Sequence, residues 1–193
     1  DVPAADRSDA VAGMSGAVTE SVIVIETPRL RLRTFTPEDA PFYLALINEP
    51  SWIANIGDRN IHTVDAARAA LEAGPIAQFR EHGYCFYIIE RRSDGVAIGM
   101  CGMIRRDSLP GPDIGYAMLP AYWGQGYAYE AAAAVVRHAR HTLRIPTLYG
   151  ITSPQNQASI NLLNKLGLRF ERFTRMPPSG KDTNVYRKDF RLD

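Results

Sequence analysis

The stretch from Asp113 to Thr152 constrains this chain more than any other. A short apolar run, Asp113 to Leu119, leads into Pro120 to Gly126, a loop of glycines and aromatics. Tyr127 to His141 follows, with four consecutive alanines at 131–134, and then Thr147 to Thr152. Alanine is the strongest helix former, and short β-branched or aromatic runs favour strands. The spacing therefore predicts strand, helix, strand, a unit that must be parallel and cross over right-handed. Gly124 and Gly126 stand just ahead of the helix. Glycine lets main-chain N–H groups turn inward with no Cβ in the way. A helix start adds unpaired N–H groups and a partial positive charge of about half a unit. Together they make a seat for a phosphate or diphosphate. No Lys-Ser/Thr follows, so this is not a P-loop, and Tyr129 stands where G-x-G-x-x-G needs its third glycine. By itself the Gly-x-Gly pair equally describes a tight turn with close helix packing.

The rest of the chain builds around that unit. Ser21 to Phe35 reads as one long strand with Pro28 as a kink or edge. Thr36-Pro37-Glu38-Asp39 is a helix start, with the helix running to about Asn48. Pro50 to Asn60 reads as a loop, and a helix beginning near Thr63 should break or kink at Gly74-Pro75 and resume as far as Glu81. Tyr84 to Arg91 and Val96 to Arg105 form a hairpin about Ser93-Asp94-Gly95, which sets Cys85 and Cys101 on neighbouring strands as packed, reduced thiols. A helix from about Asn156 to Leu166 ends at Gly167, and Leu168–Thr174 and Asn184–Phe190 are the last strands. The simplest architecture is α/β: one mixed sheet covered by helices. Residues 1–20, rich in Ala, Gly, Ser and Asp, read as a flexible N-terminal tail before a single domain at 21–193.

Composition narrows the function. With 193 residues the chain is one domain. Basic and acidic residues nearly balance, 22 to 21, where a nucleic-acid binder would show a basic excess. No apolar run approaches membrane-spanning length and no signal peptide is evident, so a cytoplasmic protein without nucleic-acid or membrane partners is expected. Two cysteines exclude a disulfide scaffold. His138 and His141 share a helix face, yet no carboxylate or thiol lies nearby in sequence, and no metal is expected.

Pro120-Ala121-Tyr122-Trp123-Gly124-Gln125-Gly126-Tyr127-Ala128, followed by Glu130-Ala131, resembles the acetyl-CoA-binding motif of the GNAT acetyltransferases. It is most similar to the ribosomal-protein N-terminal acetyltransferases (RimJ/RimL-like). Glu26 to Arg33, Asp113 to Tyr116, Asn156 to Ser159 and Lys165 to Leu168 resemble that subgroup in the same order, so the likeness spans roughly residues 23–190. Trp123 stands where the wider family has Arg or Gln. The resemblance implies a mostly antiparallel mixed sheet with one parallel, splayed strand pair. The pantetheine arm of acetyl-CoA, the co-substrate, would enter the gap and bond the backbone at Ala117, Met118 and Leu119 like an added strand. The diphosphate would rest on the amides of Gly124, Gln125, Gly126, Tyr127 and Ala128. Asn156 would touch the cofactor arm or simply cap its helix. Lys165 would reach a phosphate or remain solvated. Homodimers are frequent in the family.

The implied activity is transfer of an acetyl group to a primary amine, of a protein N-terminus or a small molecule, by direct attack in a ternary complex. The alternative is a non-catalytic acyl-CoA-binding module. An amine of pKa about 8 to 10.4 needs a base. Asp113 is the candidate, or else it merely finishes the Pro-Gly-Pro turn. The family's usual Tyr acid is replaced by Leu163. The subgroup suggests Ser159 as the proton donor to the departing thiolate, against a plain helix hydroxyl. Trp52, Tyr84 and Tyr116 are candidates to line the acceptor pocket, with packing as the other reading.

Overall fold

The computed structural model describes residues 20–191. The expected tail, residues 1–20, lies outside the described residues apart from Glu20. The elements in order are β1 (Ile23–Glu26), β2 (Leu30–Arg33), α1 (Ala40–Ile47), α2 (Pro50–Asn55), α3 (Val64–Leu71), α4 (Ala77–His82), β3 (Phe86–Arg91) and β4 (Ala97–Ile104). Then come β5 (Asp113–Met118), α5 (Tyr127–His141), β6 (Thr147–Thr152), α6 (Gln157–Lys165), β7 (Arg169–Met176) and β8 (Lys181–Asp189). The strands form one sheet in the order β1-β2-β3-β4-β5-β6-β8-β7. Every neighbouring pair is antiparallel except β5 with β6.

Two readings are corrected. The long first strand is a hairpin: Pro28 has no N–H to continue a ladder, and Thr27 N–H closes the turn on Leu30 O at 2.9 Å. The segment expected as a loop at 50–60 carries the short helix α2, with Pro50 as its first residue, the one helical place where proline is at ease. The break at Gly74-Pro75 is as expected. Gly74 leaves the helical region (φ −102°, ψ −105°) and separates α3 from α4.

Strand alternation divides the core into two faces. On one, Leu30, Leu32, Ile114, Met118, Leu148 and Tyr186 pack under the Ala131, Ala132, Val135 and Ala139 stripe of α5 and Leu163 of α6. On the other, Ile88 and Met100 pack beneath α1 to α3 through Tyr43, Leu46, Trp52 and Leu71. A separate cluster, Leu109, Tyr149, Met176 and Val185, includes the neighbours in sequence of Leu148 and Tyr186, and so occupies this second face at its far end.

The helical lobe is fastened to the sheet by one charged network. Asp39 accepts the Thr36 main-chain N–H at 2.8 Å, closing the first turn. Its two oxygens take Arg33 Nη1 and Nη2, each at 2.9 Å, while Arg33 Nε donates to Glu90 Oε1 at 2.9 Å. The Arg33 guanidinium, together with the Thr36 amide and hydroxyl, outweighs burial and holds the Asp39 carboxyl below its ordinary range. Because the folded-state pKa is depressed, this stabilisation is present above the unfolded pKa and is lost as pH falls through the folded value. Asp39→Ala should therefore lower unfolding free energy by about 1.5–3 kcal/mol at neutral pH in urea titrations. The difference from the parent should shrink in acid, and one that persists undiminished there would contradict this origin.

Candidate active site

The site begins where a sheet stops being a sheet. β5 and β6 pair at only two positions, Asp113 with Tyr149 and Ile114 with Gly150. Beyond them β5 stays with β4 as far as Met118 opposite Gly99, and β6 stays with β8 as far as Thr152 opposite Asn184. The two strands thus fork. Leu119 N–H donates to Ile98 O, so residues 117 and 119 turn their main-chain groups to β4. By alternation Tyr116 and Met118 turn theirs into the fork. This revises the expectation for the pantetheine contact. Of Ala117, Met118 and Leu119, Met118 presents its main chain to the gap, and Tyr116 joins it. The Met118 carbonyl already accepts the Trp123 indole Nε1–H at 3.0 Å. Trp123, standing where the family has Arg or Gln, thereby pins the glycine loop onto the end of β5.

At the open end of the fork lies that loop. Gly124 and Gly126 hold φ of +74° and +80°, left-handed values that a side chain resists. A Cβ on Gly124 would meet nothing within 4 Å. Backbone shape, rather than crowding, calls for glycine there. Gly126 is the residue before α5, and the N–H groups of Tyr127 and Ala128 open the helix. A concave run of main-chain donors at a helix start fits a diphosphate, and the unpaired edge of β5 fits an amide-bearing arm.

The loop is braced from behind by residues that motif reasoning did not place in the site. Glu130 Oε2 accepts Thr27 Oγ1 at 2.6 Å, and Glu130 Oε1 accepts Arg29 Nε at 2.7 Å. Arg29 Nη1 donates to Gln125 O at 2.9 Å, and its guanidinium lies 4.3 Å from the centre of the Tyr127 ring. Gln125 therefore contributes a carbonyl turned to Arg29. The signal was in the sequence, since both Thr27-Pro28-Arg29 and Glu130 belong to the resembling segments, but spacing alone does not say that they meet.

One wall of the fork is α6. Asn156 Oδ1 accepts the Ser159 main-chain N–H at 3.2 Å, so its oxygen is the helix cap. Ser159 Oγ lies 2.9 Å from the Tyr116 hydroxyl, which also donates to Ser159 O at 3.2 Å. Tyr116 packs on the α5 face of the sheet. It is thus on the α6 side of the fork, because its strand position points its ring away from the α1–α3 face. Leu163, which replaces the family's Tyr, is buried, and its methyl groups fill the space above Gly150. Lys165 Nζ stands 4.0 Å from the centre of the Tyr129 ring.

The opposite face carries Asp113, Phe86 and Trp52. Asp113, at the closed end of the fork, is 1% exposed, and its Oδ1 accepts Arg106 Nε at 2.8 Å. Burial raises its carboxyl to about 6 against the opposing pull of Arg106. Phe86 lies over Gly115, where a Cβ would come within 2.8 Å of its ring. Trp52 is buried in the α1–α3 cluster with Nε1 unpartnered. Tyr84 stacks on His82 and packs against the cluster of the α5 face. Lys181 Nζ donates to Ile56 O at 2.9 Å, joining the end of α2 to the β7–β8 hairpin. Among the described residues no three His, Cys, Asp or Glu come together as a metal site, and no helix is long and apolar enough to cross a membrane.

Comparison with known proteins agrees with this geometry. Residues 29–169 match the acetyltransferase (GNAT) domain. The chain is 29% identical over 168 residues to YoaA of Bacillus subtilis, described as an uncharacterized N-acetyltransferase, covering 84% of this chain and 94% of that one. An acetyltransferase structure from Agrobacterium tumefaciens superposes with a TM-score of 0.73 at 26% identity, covering 86% of this chain and 94% of the other. RimL, a ribosomal L7/L12 alpha-N-protein acetyltransferase solved with coenzyme A, shares the fold with a TM-score of 0.76 at 18% identity, covering 89% and 100%. A forked parallel pair, a left-handed glycine loop at a helix start and a domain match over most of the chain converge, and this chain belongs to the GNAT acetyltransferase family, whose members use acetyl-CoA.

Proposed function

We propose that the protein moves the acetyl group of acetyl-CoA to a primary amine by direct attack within the fork. The carrying observation is the two-residue limit of the β5–β6 pairing, which leaves the main chain of Tyr116 and the Met118 N–H turned to the gap for an extended arm. On this reading the Gly124 to Ala128 loop takes the diphosphate, the arm lies along β5, and the thioester reaches the closed end of the fork. Ser159 approaches from α6 beside Tyr116, and Asp113 stands at the closed end on the opposite face of the sheet.

Asp113 serves as proton acceptor on this reading, directly or through one water. An ordinary aspartate, with pKa near 4, is too weak a base for an amine, and burial makes this one stronger. Ser159 hydrogen-bonds the departing thiolate. The amine nitrogen forms its bond to the acetyl carbon, the C–S bond breaks with its electron pair left on sulfur, the amine's proton passes to Asp113 and on to solvent, and the thiolate takes its proton from solvent water. Trp52, buried beneath the slot with its indole N–H unpartnered, is the candidate to meet the acceptor. Non-catalytic acyl-CoA binding is the less favoured reading of a chain in this family. A panel of peptide N-termini, amino acids and small amines, read by release of free thiol, identifies the acceptor. Coenzyme binding with no thiol release from any amine would count against catalysis.

Two variants test the assignments. Asp113→Asn should cut turnover by roughly 10²–10⁴. Since the base must be ionised to act, kcat/KM of the parent should rise with pH through about 6, and that limb should vanish in the variant. A pH profile shared by both proteins removes Asp113 from the mechanism. Gly126→Val forces a β-branched residue to φ +80°, at a strain of about 1–2 kcal/mol. That is small beside a typical domain stability of roughly 5–15 kcal/mol, so the fold should survive while calorimetric binding of acetyl-CoA is lost. Normal binding would mean that the diphosphate sits elsewhere.

A further inference from the structure

The Tyr116 hydroxyl has no task in the proposed transfer, yet it makes a two-way contact with the residue given the leaving-group role. It reaches from β5 across the fork to α6 and meets Ser159 twice, at the main-chain O (3.2 Å) and at Oγ (2.9 Å). A hydroxyl carries one proton and two lone pairs. The pair therefore has two arrangements. When Tyr116 donates to the Ser159 carbonyl, the Ser159 proton is spent on the phenol oxygen. When Tyr116 donates to Oγ, the Ser159 proton is released to point elsewhere. Burial pushes the Tyr116 phenol up to about 12, so it remains a neutral donor through the working range. The backbone of α6 cannot shift to compensate, because Asn156 Oδ1 fixes the Ser159 N–H and Leu163 is wedged over Gly150.

We infer that Tyr116 is a positioning residue for the leaving-group step: its hydroxyl, held against Ser159 across the fork, turns the Ser159 proton toward the coenzyme A sulfur. The inference rests on the proposed role of Ser159 and deepens it. In the free enzyme the Ser159 proton is held on Tyr116. As charge develops on sulfur, the phenol rotates its donor onto Oγ, and the Ser159 proton is delivered as a hydrogen bond to the thiolate. No proton leaves Tyr116. A phenol raised to about 12 would be a poor acid toward a thiolate, whose conjugate thiol has a pKa of about 8.5. The reoriented hydroxyl lowers the energy of the sulfur anion until solvent water protonates it, while the amine's proton leaves through Asp113. This assigns the site a hydroxyl pair drawn from β5 and α6, in place of the phenol that Leu163 lacks.

The test uses Tyr116→Phe, which removes only the oxygen, with Ser159→Ala and the double variant, all on the full chain. Two readouts are needed. The first is the pKa of the thiol of bound coenzyme A, followed by thiolate ultraviolet absorbance, which requires no acceptor. The second is steady-state kinetics with whichever amine supports turnover. Each single variant should raise the bound thiol pKa by about one unit. Each should lower kcat by about tenfold, with KM for acetyl-CoA and amine within about twofold of the parent. The double variant should be no worse than Ser159→Ala alone, since both changes remove one device. A Tyr116→Phe protein with parental thiol pKa and kcat, beside an affected Ser159→Ala, overturns the inference and leaves the Ser159 role standing. A raised amine KM at unchanged kcat also overturns it. If Ser159→Ala changes neither readout, the Ser159 role itself falls, and this inference with it.

Discussion

Everything specific to this molecule depends on an incomplete strand pairing. A buried main-chain N–H or C=O without a partner costs free energy comparable to a lost hydrogen bond, so sheets rarely open in their middle. Here β5 and β6 separate after Ile114 and Gly150, four residues before β5 ends. The groups left over at Tyr116 and the Met118 N–H are satisfied by water or by a ligand that behaves as a strand, while the Met118 carbonyl takes the Trp123 indole. A coenzyme arm with two amide units suits that edge, and on the proposed reading its charged end falls on the glycine loop. One fault in the sheet thus sets the place, the direction and the chemical type of what binds.

The fault is tolerable because the surroundings are rigid. α5 buries an alanine stripe on the sheet, and small side chains let the helix axis come close, so its N-terminus is held at a fixed height over β5. The Thr27, Arg29 and Glu130 contacts brace the loop from the first hairpin. On the other face, Arg33 and Asp39 anchor the helices that cover Trp52. Arg33 and Asp39 are both largely buried, and each charge is met by more than one partner, the condition under which an ion pair holds geometry firmly. The two halves of the second face are joined where Lys181 Nζ donates to Ile56 O.

Much of this was legible in the letters. α5 and β6 have the ends the sequence predicts, because an alanine run and a β-branched run are strong local signals that tertiary packing did not override. Gly83 and Gly167 end their helices in the left-handed conformation that glycine favours. The first hairpin and α2 were missed for one reason. Proline ends one element and opens another equally well, and local pattern cannot say which. The left-handed glycines of the loop follow from the letters, but the direction of the main-chain groups on the strand beside it does not. Which of Ala117, Met118 and Leu119 faces the gap depends on which alternate residue pairs with Ile98, a fact about β4 and not about β5.

By itself the sequence determined most of the elements, the left-handed glycines and the composition of each face, because those follow from short-range sterics and from the period of apolar residues. Tertiary structure decided which groups meet. It placed Asp113 out of water beside Arg106, brought the Tyr116 hydroxyl to Ser159, and set Arg29 against Glu130, a hundred residues distant in sequence. Such pairings are the product of sheet order and strand divergence. Those in turn come from the balance of long-range contacts over the whole domain, which no window of neighbouring residues contains.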